Sequence, residues 1–368
     1  MSKWWRISGS TVDAIIRGAV IACLCLCAVE LWAKHSEYEW SFDPSVQYAD
    51  GINPYLLWEL PSGEQEVNGR TVFINSMGMR GQEIVTPKPS NVRRILSLGG
   101  EVAFAEGLEL SQSYAHQAAK QLGGSRVGLQ PLVMAVPGYG ILQHRNLMDL
   151  RGWDLQPDVL LVSGPSAEVS VSKYLDENML DIYRSGPGTR QFWESFAFFR
   201  VLDYHMRVLK SPRALHRQQV FDGKIDGNPD GWSRMGINQY ANLLDALTKD
   251  ALARGVDVVL ITLPLPADLD NSHASTLTLQ YRQVIGDIAD RWGVPVVNGP
   301  ALFWESDRKV DELFIDAHHL TERGHKILAE GVASRLRGWV RGRSSGHRGT
   351  GAPLPTYDES TERMELLR

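Results

Sequence analysis

The sequence predicts an α/β protein: a three-layer α/β/α sandwich built on a five-stranded parallel sheet, preceded by one transmembrane helix. Three observations predict it. From Arg93 onward, short β-branched or apolar runs alternate with longer segments of helical period, the pattern of successive βαβ units. Near the N-terminus, Ala14 to Ala33 form a 20-residue run whose only charges are Arg17 and Glu30. Finally, 43% hydrophobic and 22% charged residues in 368 exclude a mostly disordered chain and suffice for one large domain with appendages.

The N-terminal run is long enough to cross a hydrocarbon core of about 30 Å. Its uninterrupted apolar part, residues 18–29, is shorter, with Arg17 and Glu30 near the ends, where long side chains reach the interface. Trp4, Trp5 and Trp32 suit interfacial positions. Lys3, Arg6 and Arg17 outweigh Asp13 on the N-terminal side, and Lys34 is followed by Glu37 and Glu39. The positive-inside rule then places the N-terminus in the cytoplasm and the rest outside it. The expectation is a single-pass signal anchor in the inner (cell) membrane, with the main domain periplasmic or extracellular. A cleaved signal peptide and a buried globular helix are the rivals.

Residues 35–90 are turn-rich, with Asp43-Pro44, Asn53-Pro54, Pro61-Ser62-Gly63 and Pro87-Lys88-Pro89. They read as a juxtamembrane extension with one short strand, Thr71 to Asn75. The strands expected in the main domain (residues 91–340) are Arg94–Leu98, Pro131–Val136, Val159–Ser163, Val256–Leu263 and Val294–Val297. The helices expected are Ser113–Leu122, Ile141–Leu150, Ile237–Ala253, Thr276–Trp292 and Thr321–Val340. An insertion at about 168–235 holds an aromatic cluster, Phe192-Trp193 and Phe196 to Phe199, and a Gly/Asp/Pro-rich loop at 222–231. The cluster either packs the insertion onto the core or walls a cleft. Residues 341–368 read as a disordered tail.

The formal charge of −5 argues against nucleic acid as a partner. The cysteines, Cys23, Cys25 and Cys27, all lie in the apolar run, with no Cys/His spacing for zinc. No cofactor or metal motif is present, and neither group is expected.

Ligands of open α/β sheets bind at the carboxyl ends of the strands, and four such places carry suggestive residues. Leu98-Gly99-Gly100 allows a tight turn that leaves Glu101 exposed at a helix start. Val136-Pro137-Gly138-Tyr139-Gly140 is a second glycine turn, with backbone N–H groups able to face the same cleft. Ser163-Gly164-Pro165-Ser166 is the third. The fourth, Asp316-Ala317-His318-His319-Leu320-Thr321 with Gly324-His325, is the most specific. It sets an acid three residues before an imidazole, with Thr321 an apt N-cap. Asp316 would orient the ring, and the other ring nitrogen would serve as base. His318 and His325 read as a neighbour and a packing residue, and Glu106 and Glu109 as solvated acids of an early helix.

In order and spacing, the GGE, VPGYG and SGPS turns and the terminal DAHHLTERGH resemble the SGNH (GDSL-type) hydrolases, over about residues 70–338. Asn75-Ser76-Met77-Gly78-Met79-Arg80-Gly81 is similar to the lead-in of their membrane-anchored bacterial members. The resemblance implies a flavodoxin-like sandwich, His319 as general base, Asp316 as its orienting carboxylate and Gly138 as an oxyanion-hole N–H. It also exposes two departures. Glu101 stands where the family presents its nucleophilic Ser, and Ser166 where it presents an oxyanion-donating Asn. Such an active site is degenerate. A carboxylate attacking an ester would give a mixed anhydride, and loss of one oxyanion donor alone costs about 10²–10³ in rate. Glu101 is expected to pair with His319 and to favour imidazolium, the wrong form for a base.

Three functions follow. The first is a non-hydrolytic, membrane-tethered binding or partner subunit in cell-envelope or exopolysaccharide acyl-group processing. By analogy with the family, its partner would be a membrane O-acyltransferase, a glycan or an acylated ligand. The second is an altered enzyme in which Glu101 attacks an alkyl carbon, or shares a divalent metal with Asp316 and His319. The third is an esterase or acyltransferase whose nucleophile is Ser97, Ser163 or Ser166.

Overall fold

The computed structural model describes residues 9–40, 52–53, 55–67, 70–169, 171–172, 176–177, 180, 196–199, 202, 232–269 and 274–344. The Gly/Asp/Pro-rich loop, Phe192-Trp193, Trp4, Trp5 and the tail beyond Ser344 lie outside them. Residues 341–344, expected to begin that tail, instead continue the last helix.

The five expected parallel strands all form: β5 (Arg93–Leu98), β6 (Leu129–Val133), β7 (Val159–Gly164), β10 (Asp257–Thr262) and β11 (Val296–Asn298). Their order across the sheet is β11-β10-β7-β5-β6, all parallel. The order reverses between β5 and β7, the strand order of flavodoxin-like sheets, which opens a crevice at the carboxyl ends there. The central strands are buried along their length, as continuous apolar runs covered on both faces must be. One face carries α3 (Tyr114–Gln121) and α9 (Glu322–Ser344), and the other α4 (Ile141–Leu147), α5 (Ile237–Ala253) and α6 (Thr276–Trp292).

Several ends shift by a few residues. Strand β6 stops at Val133, because Met134 to Gly140 already form the second turn. The helix expected to reach Leu150 ends at Leu147 and widens into a π turn over Met148–Gly152. Ser113 caps α3 by accepting the N–H of His116. Thr321 caps α9 as expected, accepting the N–H of Gly324. Two short helices, α7 (Gly299–Glu305) and α8 (Val310–Leu313), separate β11 from the acid–imidazole segment.

Before the sheet come α1 (Gly9–Trp40), the pair β1 (Ile52–Asn53) and β2 (Leu57–Trp58), and the hairpin of β3 (Gly63–Val67) and β4 (Arg70–Ile74). Residues Ile16–His35 of α1 are long and apolar enough to cross a membrane, and almost none of that stretch is covered by the rest of the chain. The lead-in segment follows β4. Arg80 bridges Ile74 and Val133, lying antiparallel against the open edge of β6. The two ends of the insertion meet in the pair β8 (Val171–Ser172) and β9 (Trp232–Ser233).

Candidate functional site

The first three sequence turns follow adjacent strands, β5, β6 and β7, so their residues converge. After Leu98 the chain passes Gly99 and Gly100 and enters the four-residue helix α2 (Glu101–Phe104). A Cβ on Gly100 would lie 2.3 Å from Ser166 Oγ and 3.3 Å from the Tyr139 carbonyl. Only glycine lets this turn press against both neighbouring turns. Gly138 sits at φ +77°, the left-handed region that glycine adopts without strain, and this turns its N–H into the crevice. The Gly138 N–H donates to Glu101 Oε1 at 2.8 Å, and the Ser166 hydroxyl donates to Glu101 Oε2 at 3.1 Å. Both oxygens of the carboxylate are therefore bound, one by the Gly138 N–H that the resemblance implies as an oxyanion donor and the other by Ser166, which stands where that family has its donor Asn. Such charge-assisted bonds are about twice as strong as neutral ones.

Residues not singled out in the sequence hold these donors. Glu168 is buried. It accepts the N–H of Ser166 at 2.7 Å and that of Ile141 at 2.6 Å, tying the third turn to the start of α4. Burial pushes its carboxyl up, against the lowering effect of those N–H bonds and of Arg234. The buried Arg234 guanidinium donates to the Gly138 carbonyl at 2.6 Å, pairs with Asp176 at 2.8 Å and stacks over Trp58. Arg80, from the lead-in, donates to the carbonyls of Phe104, Ala105 and Leu108 and lies over the Phe104 ring. It thereby fixes the exit of α2, where Ala105 takes a left-handed φ of +58°.

That left-handed exit corrects one expectation. Glu106 is not a solvated helix acid: α2 ends before it, and its side chain is only 8% exposed, facing His319. Glu109 is exposed, as expected, and pairs with Arg70. The expected Glu101–His319 pair is also replaced. Glu101 turns to Gly138 and Ser166, while His319 Nε2 lies 3.3 Å from Glu106 Oε2. That contact is close enough for charge pairing, and Nε2 is buried.

The other ring nitrogen is well held. His319 Nδ1 is 2.8 and 2.9 Å from the two oxygens of Asp316, and Asp316 Oδ1 also accepts the backbone N–H groups of His318 and His319. These bonds and the imidazole keep the Asp316 carboxyl below the usual range despite the opposing effect of its burial. For His319, burial favours the neutral ring, but Glu106 and Asp316 outweigh it and raise the pKa to about 9. At neutral pH the ring is an imidazolium, which is the form expected from the sequence, with Glu106 in the role given to Glu101. An imidazolium can donate a proton or a hydrogen bond, and it cannot act as a base until it loses its proton.

His325, read as a packing residue, is buried in α9. It accepts the Tyr114 N–H at Nδ1 and stacks on the Tyr114 ring. Burial, helped by Arg80, lowers its pKa to about 3. The three alternative serines are occupied elsewhere: Ser97 with the Tyr114 hydroxyl at 2.7 Å, Ser163 on the Leu98 carbonyl at 3.0 Å, and Ser166 on Glu101. Glu101, Asp316 and His319 do not form a metal site: among the described residues, no three His, Cys, Asp or Glu side chains are grouped to hold an ion.

No protein-family model and no curated protein matches the chain. Solved structures do. LAE5, an alpha/beta hydrolase enzyme from the metagenome of Lake Arreo, Spain, is similar over 66% of this chain and 96% of its own, at 14% identity and a TM-score of 0.44. The acetyl xylan esterase AlAXEase is similar over 66% and 98%, at 13% and 0.43. A G-D-S-L family protein from Desulfitobacterium hafniense DCB-2 is similar over 66% and 99%, at 8% and 0.40. These likenesses are of fold alone, and the chemistry of the cleft is read from this chain's own residues.

Proposed function

We propose that this chain is a membrane-tethered, extracytoplasmic SGNH-like protein that binds instead of hydrolysing. Its N-terminus would be cytoplasmic, and it would serve envelope or exopolysaccharide acyl-group processing, beside a membrane O-acyltransferase or on an acylated glycan. One observation carries the reading: the Glu101 carboxylate occupies the donor pair of Gly138 and Ser166. An ester carbonyl polarised there would have to displace a carboxylate from its own hydrogen bonds. The nucleophile position holds that same carboxylate, and the neighbouring imidazole is protonated at neutral pH. Each of these opposes acyl-enzyme formation, while the glycine turns and the acid–imidazole pair still shape a cleft.

The test uses the purified full-length chain in detergent. Its p-nitrophenyl acetate hydrolysis should not exceed that of a boiled control. An acetylated oligosaccharide should bind saturably by calorimetry, and Gly138→Val, which blocks the cleft, should abolish that binding. Turnover above background that survives repurification would overturn the reading.

A further inference from the structure

The carboxylate inside the apolar helix has a partner. Glu30 lies five residues before His35, the outer end of the apolar stretch in α1. It accepts the backbone N–H groups of Ala197, at 2.7 Å, and Phe198, at 3.1 Å, both from the insertion. Ala33, one turn on, is fully buried against the equally buried Ala197, and Phe198 packs on the pair. The small side chains let the two backbones approach closely. At 1.5 Å per residue, this contact lies roughly 7 Å inside the end of the apolar stretch.

The same short segment presents apolar side chains outward. Phe196, Phe199 and Leu202 are 39%, 37% and 45% exposed. Trp32 and Val29 of α1 are exposed as well. Phe199 meets Phe196 and Phe198 ring to edge, giving an aromatic ridge beside the apolar helix.

We infer that Phe196 to Phe199 and Leu202 lie in the outer membrane–water interface, held against α1 by the Glu30 carboxylate, with Phe196, Phe199 and Leu202 entering the lipid. The inference rests on α1 spanning the membrane. Three features select lipid as the occupant. The ridge is continuous with the apolar helix. Its depth matches the about 5–10 Å at which interfacial segments bury their apolar faces. A carboxylate in an apolar span is costly unless it is hydrogen-bonded, and here each of its oxygens accepts a backbone N–H group that would itself need a partner at that depth.

The experiment uses the full chain with Cys23→Ser, Cys25→Ser and Cys27→Ser, reconstituted in phosphatidylcholine nanodiscs. Single nitroxide labels are placed at Leu24→Cys, Phe199→Cys and Leu202→Cys, and their collisions with oxygen and with a water-soluble nickel chelate are measured. Labels at 199 and 202 should collide more with oxygen than with nickel, at a depth shallower than the label at 24. Adding Glu30→Ala should raise their nickel collisions several-fold and leave position 24 unchanged. Aqueous readings at 199 and 202 with a lipid reading at 24 would overturn the inference alone. An aqueous reading at 24 would overturn the spanning helix beneath it. Shielding of 199 and 202 from both reagents would put a protein surface there and overturn the lipid assignment. Lipid readings unmoved by Glu30→Ala would overturn the tether.

Discussion

The two halves of the cleft arrange their polar groups in different ways. On the Asp316–His319 side, the acid still grips Nδ1 with both oxygens and the loop N–H groups still orient the acid. That half has the parts of a working general acid–base. On the Glu101 side, the donors converge as they would on a substrate oxygen, but a side chain of the protein itself fills them. The comparison separates geometry from chemistry. A carboxylate faces the polar groups of each half: Glu101 fills the donor pair on one side, and on the other Glu106 stands at the remaining nitrogen of His319.

The largest effect should come from emptying the donor pair. Glu101→Ser frees the Gly138 N–H and supplies a hydroxyl. Hydrolysis of p-nitrophenyl acetate should rise by about 10²-fold or more over the parent chain, within the range a positioned base contributes. The rate should climb with pH toward about 9, as His319 loses its proton. A Glu101→Ser protein as inert as the parent would show that more than the nucleophile has been lost.

Next comes the support shared by Glu101 and Glu106. Arg80→Met strips three buried carbonyls of their donor, at about 3 kcal/mol or more of stability. Thermal unfolding in detergent should show a clear drop in midpoint.

The histidines give a third contrast. His319 is raised from 6.5 to about 9, so its contribution is complete below pH 6.5 and is lost as pH climbs through 9. His116, His144 and His325 are lowered by burial to about 4, 4 and 3. Their contribution is present above pH 6.5 and is lost as pH falls through those values. Unfolding midpoints measured against pH should therefore decline on both sides. His319→Gln should flatten the alkaline limb only, and Glu106→Gln should move that limb to lower pH.

The smallest effect is Ser166→Ala. It removes one of the two bonds to Glu101, at about 1 kcal/mol, with no gain of esterase activity.

Much of this was legible in the sequence because it is local. Strands β5, β6 and β7 are apolar runs followed by glycine turns, and those turns must meet once the strands are neighbours. The Asp316–His319 pairing follows from a spacing of three. What was not legible depends on backbone paths that propensity does not report. Glu106 looks like the sixth residue of a helix, yet α2 stops at Phe104 and the left-handed Ala105 swings it into the cleft. Gly107, at φ +75°, was the available signal of that break. Arg80, Glu168 and Arg234 act on backbone groups that carry no residue signature, most of them far away in sequence. The Glu30 contact joins α1 to residues 167 positions away.

Among the described residues, each serine near the cleft is held by another group: Ser97 by the Tyr114 hydroxyl, Ser163 on the Leu98 carbonyl and Ser166 on Glu101. Whether any of them acts as a nucleophile is tested most directly by intact-mass measurement after treating the full chain with a serine-directed fluorophosphonate. An unmodified mass is expected for the parent and a single adduct for Glu101→Ser. A stoichiometric adduct on Ser97, Ser163 or Ser166 of the parent chain would contradict it.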